Sequence, residues 1–152
     1  MPKLIVLFDG RDEAAAMVAK SAAGGASEVR FAEVDVRAVG GSDEHKVLAG
    51  ASQLGSYDGV LLALSDSELP SEVAALLGEL ASGGQLPNKV FGLTGSCANA
   101  LQRVARVGGI IVSEPVGADA TERARKLGAR MAKVIGWVHH ALGHEAEHHH
   151  HH

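Results

Sequence analysis

Three short segments concentrate the side chains that could do chemistry. The first, Asp9-Gly10-Arg11-Asp12-Glu13, packs three carboxylates and one guanidinium into five residues. The second, Ser65-Asp66-Ser67-Glu68-Leu69, mixes hydroxyls with two more carboxylates. The third, Thr94-Gly95-Ser96-Cys97-Ala98, carries two hydroxyls and the chain's only thiol. Convergent carboxylates supply oxygen ligands to Mg²⁺, so Asp9, Asp12, Glu13 and Asp66 form a candidate cation set. The plainer reading is preferred: acids at a helix start stabilise the positive end of its dipole. No metal is therefore assigned.

Ser96 and Cys97 sit where a helix is expected to begin. A helix N-terminus stabilises a thiolate, but no histidine lies nearby in sequence to act as its base. Cys97 is read as a small buried hydrophobe and Ser96 as a helix cap. His139, His140 and His144 fall near the end of the last helix, with His140 and His144 one turn apart. No HExxH motif accompanies them, and cations at a helix end are favoured by the dipole alone. A lone cysteine excludes an intramolecular disulfide and a thiolate zinc cluster.

The elements that must position these segments alternate regularly. Residues 4–8 are a continuous apolar run, as expected of a strand buried on both faces. Residues 12–23 follow as a helix with a small-residue face (Ala15, Ala16, Val18, Ala19, Ala22), which Gly24-Gly25 is expected to stop. Residues 29–36 alternate like a strand near a sheet edge. A weak helix is expected over 44–54, and a third strand over 60–64. A helix opening at Ser67 or Pro70 carries Val73, Leu76, Leu77 and Leu80 at helical spacing. A fourth strand over 89–93, a helix capped by Ser96, a fifth strand over 110–112 and a long helix from Asp119 to about Leu142 complete the chain. Trp137 and Val138 are expected to pack that last helix on the sheet.

Successive buried strands joined by helices require right-handed crossovers, hence a parallel sheet. Five units without a dinucleotide fingerprint predict an α/β three-layer sandwich of strand order 2-1-3-4-5, with helices on both faces. In that order a ligand binds beyond the carboxyl ends of the strands, where the three segments lie.

The same stretches resemble a known family, the flavodoxin-like NAD(P)H:quinone reductases of the tryptophan-repressor-binding-protein type. Tyr57-Asp58-Gly59-Val60-Leu61-Leu62 is similar to that family's "YDAIIFG" strand. Residues 85–90 followed by Thr94-Gly95-Ser96 resemble its "L-x-G-K-x…STGS" strand and loop. Ala124-Arg125-Lys126-Leu127-Gly128 resembles its "ARxLG" last helix. The resemblance implies FMN, with its phosphate at the first loop and its ring at the ends of the third and fourth strands. It would assign Asp9, Gly10, Arg11, Asp12, Glu13, Ser65, Asp66, Ser67, Thr94, Gly95, Ser96 and Cys97 to the cofactor.

Carried over by position, only the third loop keeps the family's chemistry. Where relatives offer hydroxyls and bare amides to the phosphate, this chain has Asp12 and Glu13. The loop sums to about -2, and each like-charge pair near a phosphate costs roughly 1–4 kcal/mol. FMN is therefore expected to bind weakly or not at all. The second loop lacks the aromatic residue that often flanks a flavin ring. Phosphoacceptor receiver domains offer a third reading, with Thr94 at the fourth strand and acids after the first. Their Lys-Pro after the fifth strand is Glu114-Pro115 here, a reversal of charge.

Composition narrows the partners. The net charge of -4 argues against nucleic acid, and aromatics make up only 3% of the residues, which leaves few rings for stacking. No apolar run reaches the 18 residues of a membrane span, and the run after Lys3 is too short for a signal peptide. A cytoplasmic protein is expected, meeting a small molecule or another protein. Residues 146–152 read as a tag-derived tail, leaving one domain over 1–145. The expectation is a flavodoxin-like domain with a degraded FMN site, non-enzymatic and ligand- or partner-binding. The alternative is an FMN-dependent NAD(P)H:quinone oxidoreductase or flavodoxin-type electron carrier.

Overall fold

The computed structural model describes residues 1–30, 32–41, 50–64, 71–83, 89–94, 109–112 and 119–150. Five strands form one sheet: β1 (Lys3–Asp9), β2 (Glu33–Val39), β3 (Gly59–Ala63), β4 (Val90–Leu93) and β5 (Ile110–Val112). Every pairing is parallel, and the order is β2-β1-β3-β4-β5, as the alternation of strand and helix predicts. The register runs from Lys3 opposite Glu33 to Asp9 opposite Val39, and from Leu4 opposite Gly59 to Phe8 opposite Ala63.

The pleat divides each strand between two cores. Leu4, Val6, Phe8, Leu61 and Ala63 face helices α1 (Glu13–Ser27) and α3 (Ala120–His150). Ile5, Leu7, Val60 and Leu62 face α2 (Ser71–Ser82), which supplies Val73, Leu76, Leu77 and Leu80. Because β1 and β3 are covered on both sides, their sequences are apolar throughout rather than alternating. Among the described residues no helix is long and apolar enough to cross a membrane.

Several boundaries differ from the sequence expectation. Helix α1 does not stop at Gly24-Gly25 but continues to Ser27. The reason is tertiary: a Cβ at Gly25 would stand 1.9 Å from the Arg125 carbonyl oxygen, so the glycine admits the backbone of α3. Gly128 does the same against Ala22. Strand β2 starts at Glu33 rather than at Val29, because the Glu28 and Val29 amides still donate to Gly25 and Ala26. The ladder begins when the Glu33 amide donates to the Pro2 carbonyl (2.9 Å). The described part of the expected 44–54 helix is a 3₁₀ turn, Ala51–Ser56, while 42–49 lie outside the described residues, as does the expected helix from Ser96.

Helix α3 opens as predicted. Asp119 accepts from the Glu122 amide (2.8 Å) and the Thr121 hydroxyl (2.7 Å), which holds its carboxyl below the usual aspartate value. The helix runs past Leu142 into the histidine run, to His150. Val138 packs partly against the core, but Trp137 does not: its side chain is 68% exposed. At 100° per residue, a helix that buries Ile135 and Met131 turns Trp137 away from them.

Candidate functional site

The first loop leaves β1 at Asp9. One oxygen of that carboxylate accepts from both the Arg11 amide (3.0 Å) and Arg11 Nε (3.2 Å). The other end of the Arg11 side chain, Nη2, reaches Glu72 Oε1 in the first turn of α2 at 2.9 Å. The hydrogen bond to Asp9, reinforced by the charge of Glu72, raises the Arg11 pKa above its usual value. Arg11 is thus held by two carboxylates on two elements.

Asp12 is extended (φ -114°, ψ 105°) and caps α1. Its Oδ1 accepts from the Ala14 amide at 3.0 Å and the Ala15 amide at 3.2 Å. A helix begins with four amides that lack intrahelical acceptors. Two of them are taken here by a carboxylate from the chain itself, and Glu13 adds a second negative charge in the same turn.

The exit of β2 closes on this loop. A Cβ at Gly10 would stand 2.3 Å from the Gly40 carbonyl oxygen, and one at Gly41 would stand 2.6 Å from the Gly10 carbonyl carbon. Gly40 and Gly41 adopt φ of 71° and 93°, the left-handed region that glycine enters without steric cost. Glu72 lies over Gly40, its Oε2 2.0 Å from where a Cβ would be. Gly10, Gly40, Gly41, Arg11 and Glu72 therefore make one compact corner beyond β1 and β2.

In the third loop, Thr94 is the described residue. Its hydroxyl donates to the Leu64 carbonyl and accepts from the Leu64 amide, both at 2.8 Å, and the residue is 3% exposed. A hydroxyl has a single proton to donate. Thr94 spends it tying the end of β4 to the end of β3. Ser65, Asp66, Ser67, Gly95, Ser96 and Cys97 lie outside the described residues, as does Glu114-Pro115.

Of the predicted site residues, the structure joins Arg11 to Asp9 and sets Gly10 against the β2 exit at Gly40 and Gly41, while Asp12 and Glu13 open α1. Glu72 and Gly40-Gly41 were missed by sequence reasoning. Their signals were a double glycine after a strand and an acid in a helix's first turn, neither of which names a partner. Among the described residues no group of three or more His, Cys, Asp or Glu side chains could hold a metal.

A second polar cluster lies at the opposite end of the sheet. Lys89, 7% exposed, donates through Nζ to the Leu54 carbonyl (3.1 Å) and to the Tyr57 carbonyl. Burial lowers its pKa, and Asp58 partly offsets this. The Tyr57 hydroxyl donates to Asp35 Oδ2 (2.6 Å), and burial together with that carboxylate raises the phenol's pKa. Asp58 accepts from the Lys3 amide at 2.8 Å and lies 3.8 Å from His139 Nδ1. These groups fasten the amino ends of β1, β3 and β4.

No protein-family model and no curated protein sequence matches the chain. Solved structures do match in shape. A short-chain flavodoxin associated with a bacterial microcompartment superposes with a TM-score of 0.65 at 13% identity, over 89% of this chain and 99% of that one. A diflavin flavoprotein A3 from Nostoc sp. gives 0.65 at 13%, over 94% and 97%. A flavone reductase gives 0.65 at 12%, over 91% of this chain and 65% of the other. At these identities the likeness is one of fold, and the fold is flavodoxin-like.

Proposed function

We propose that this chain is a flavodoxin-like domain whose first loop no longer accepts the FMN phosphate, and that it acts by binding a small ligand or a protein partner without catalysing hydride transfer. The observation that carries this reading is the Asp12 carboxylate on the Ala14 and Ala15 amides. A phosphate at a helix N-terminus needs those donors and the dipole behind them. Here it would displace a carboxylate already bound there and face Glu13 as well. Arg11, the one cation of the loop, is engaged by Asp9 and Glu72. The donor set does not suit FMN.

A second reading keeps the cofactor. Thr94-Gly95-Ser96 resembles the ring-side loop of the flavin reductases, and the solved structures of similar shape include flavodoxins and a flavone reductase. In that case FMN would supply the hydride or electron chemistry, and the protein would orient it. The receiver-type reading has less support, because the Thr94 hydroxyl is bound to Leu64 rather than free to meet a phosphoryl group.

Titration of FMN into the purified chain, followed by quenching of flavin fluorescence, separates the first two. The proposal expects no saturation at micromolar FMN. Saturation in that range would replace it with the quinone-reductase reading.

A further inference from the structure

The pleat that turns Ile5 and Leu7 toward α2 puts Asp35 and Arg37, their register partners on β2, on the same face of the sheet. There a hollow of about 250 Å³ opens between β2 and the 3₁₀ turn. Ile5 lies at its base, and Arg37, Gln53, Ser56 and Tyr57 wall it. None of these residues belongs to the first loop, so the hollow is independent of how that loop treats FMN.

Arg37 is the unusual member. Its side chain is partly buried, and its Nη1 donates to the Val36 carbonyl at 2.8 Å. Among the described residues it forms no ion pair, whereas Arg11 is held by Asp9 and Glu72, and Arg125 by Glu28 and Glu122. A charge drawn out of water is ordinarily matched by an opposite one. The acids on the same face of β2 are engaged elsewhere. Asp35 Oδ2 accepts from the Tyr57 hydroxyl at 2.6 Å, and Glu33 lies 3.7 Å from Lys3. The hollow thus holds a tethered guanidinium with donors left over. Beside it stands the Ser56 hydroxyl, whose bond to the Gln53 carbonyl is long at 3.4 Å.

We propose that this hollow binds a small organic monocarboxylate, its oxygens on the Arg37 fork and the Ser56 hydroxyl, its apolar part against Ile5 and Tyr57. A carboxylate matches the planar guanidinium fork in geometry as well as charge. The Asp35 carboxylate, bound to the Tyr57 hydroxyl, opposes an anion in proportion to its charge, which favours a monoanion over a phosphate dianion. The volume lies below the roughly 300–1,000 Å³ of drug-sized sites, so the acid is a small one.

Amide-resonance titration of the full chain tests this, with sodium benzoate as the probe, benzamide as its neutral isostere and inorganic phosphate, above neutral pH, as the dianion. Benzoate should shift the amides of Arg37, Gln53, Ser56 and Tyr57 saturably, with half-saturation below about 5 mM. Benzamide and phosphate should each bind at least about tenfold more weakly. Arg37→Gln should weaken benzoate binding by at least about tenfold, with unchanged far-ultraviolet circular dichroism. Arg37→Lys keeps the charge without the fork and should weaken it less. Asp35→Asn leaves the Tyr57 hydroxyl an acceptor, removes the opposing charge and should tighten benzoate binding by about threefold or more. No saturable shift at these amides, equal binding of benzamide, tighter binding of phosphate, or indifference to Arg37→Gln would overturn the proposal. So would shifts centred on Arg11, which would put the anion at the first loop instead.

Discussion

Gly25 of α1 and Arg125 of α3 meet backbone to backbone, with no room between them for a side-chain carbon. The reciprocal contact of Gly128 with the Ala22 carbonyl makes the crossing close on both helices. Gly24, one residue earlier, has nothing within 4 Å of where its Cβ would be and is exposed.

Neighbouring glycines in one helix should therefore respond oppositely to alanine. Gly25→Ala forces α1 and α3 apart and should cost about 1–3 kcal/mol or more, the range for overpacking. Gly24→Ala relieves a helix interior of glycine's entropy and should stabilise by roughly 0.5–1 kcal/mol. Urea midpoints of the two variants test this, and two shifts of the same sign would show that the crossing is looser than described.

Lys89 and Tyr57 give the stability profile a shape at alkaline pH. The lysine's folded pKa lies below its unfolded value of about 10.4 because the ammonium is buried. Between those two values the unfolded chain binds more protons, so stability rises with pH across that window. The phenol is raised instead, by burial and then by Asp35. Above its unfolded pKa of about 10 the folded chain holds the proton more tightly, so stability falls as pH rises further. Urea midpoints should climb on the alkaline side of neutrality and turn over near pH 10. Tyr57→Phe should soften the fall. Lys89→Met should remove the rise and also lower stability at neutral pH by about 1–3 kcal/mol for each carbonyl left without a donor.

Most of the strand positions were legible because the physics there is local. Residues 4–8 and 60–64 are apolar on both faces and buried, as strands covered by two helical layers are; residues 110–112 are apolar too, although Ile111 on the edge strand is exposed. What was misread depended on contacts remote in sequence. Gly24-Gly25 reads locally as a helix stop, and only the Arg125 carbonyl explains why the helix continues. Arg11 and Glu72 stand 61 residues apart, so no spacing rule could join them, although the loop's excess of acids was visible. Trp137 was expected on the sheet beside Val138, but the helical period set by the buried Met131 and Ile135 turns it outward.

Thr94 tests whether the third loop's hydroxyl is structural. Thr94→Val leaves the Leu64 amide and carbonyl buried without their partner and should cost about 1–3 kcal/mol. Thr94→Ser retains the hydroxyl and should lose far less. The receiver reading expects instead a near-neutral change in stability, with sensitivity to phosphoryl donors. Thermal unfolding of the two variants distinguishes them, and equal melting temperatures for Val and wild type would free Thr94 for a ligand role.

The first loop makes the sharpest functional prediction. Asp12→Thr preserves a cap for α1, so stability should change by less than the 0.5–2 kcal/mol that loss of a cap costs, roughly. Paired with Glu13→Asn, it removes two negative charges from the helix start and restores a hydroxyl to it. Each charge near a phosphate opposes binding by roughly 1–4 kcal/mol, and each regained charge-assisted hydrogen bond contributes about 1.5–3 kcal/mol. At about 1.4 kcal/mol per tenfold, the double variant should bind FMN at least a hundredfold more tightly than the original chain, roughly. Asp12→Ala is the necessary contrast: it frees the Ala14 and Ala15 amides but also uncaps α1, so it should gain affinity while losing about 1 kcal/mol of stability. Flavin fluorescence quenching measures affinity and urea unfolding measures stability on the same samples. Should the double variant bind FMN no better than the parent, the obstacle lies elsewhere in the site and not in the carboxylates at the start of α1.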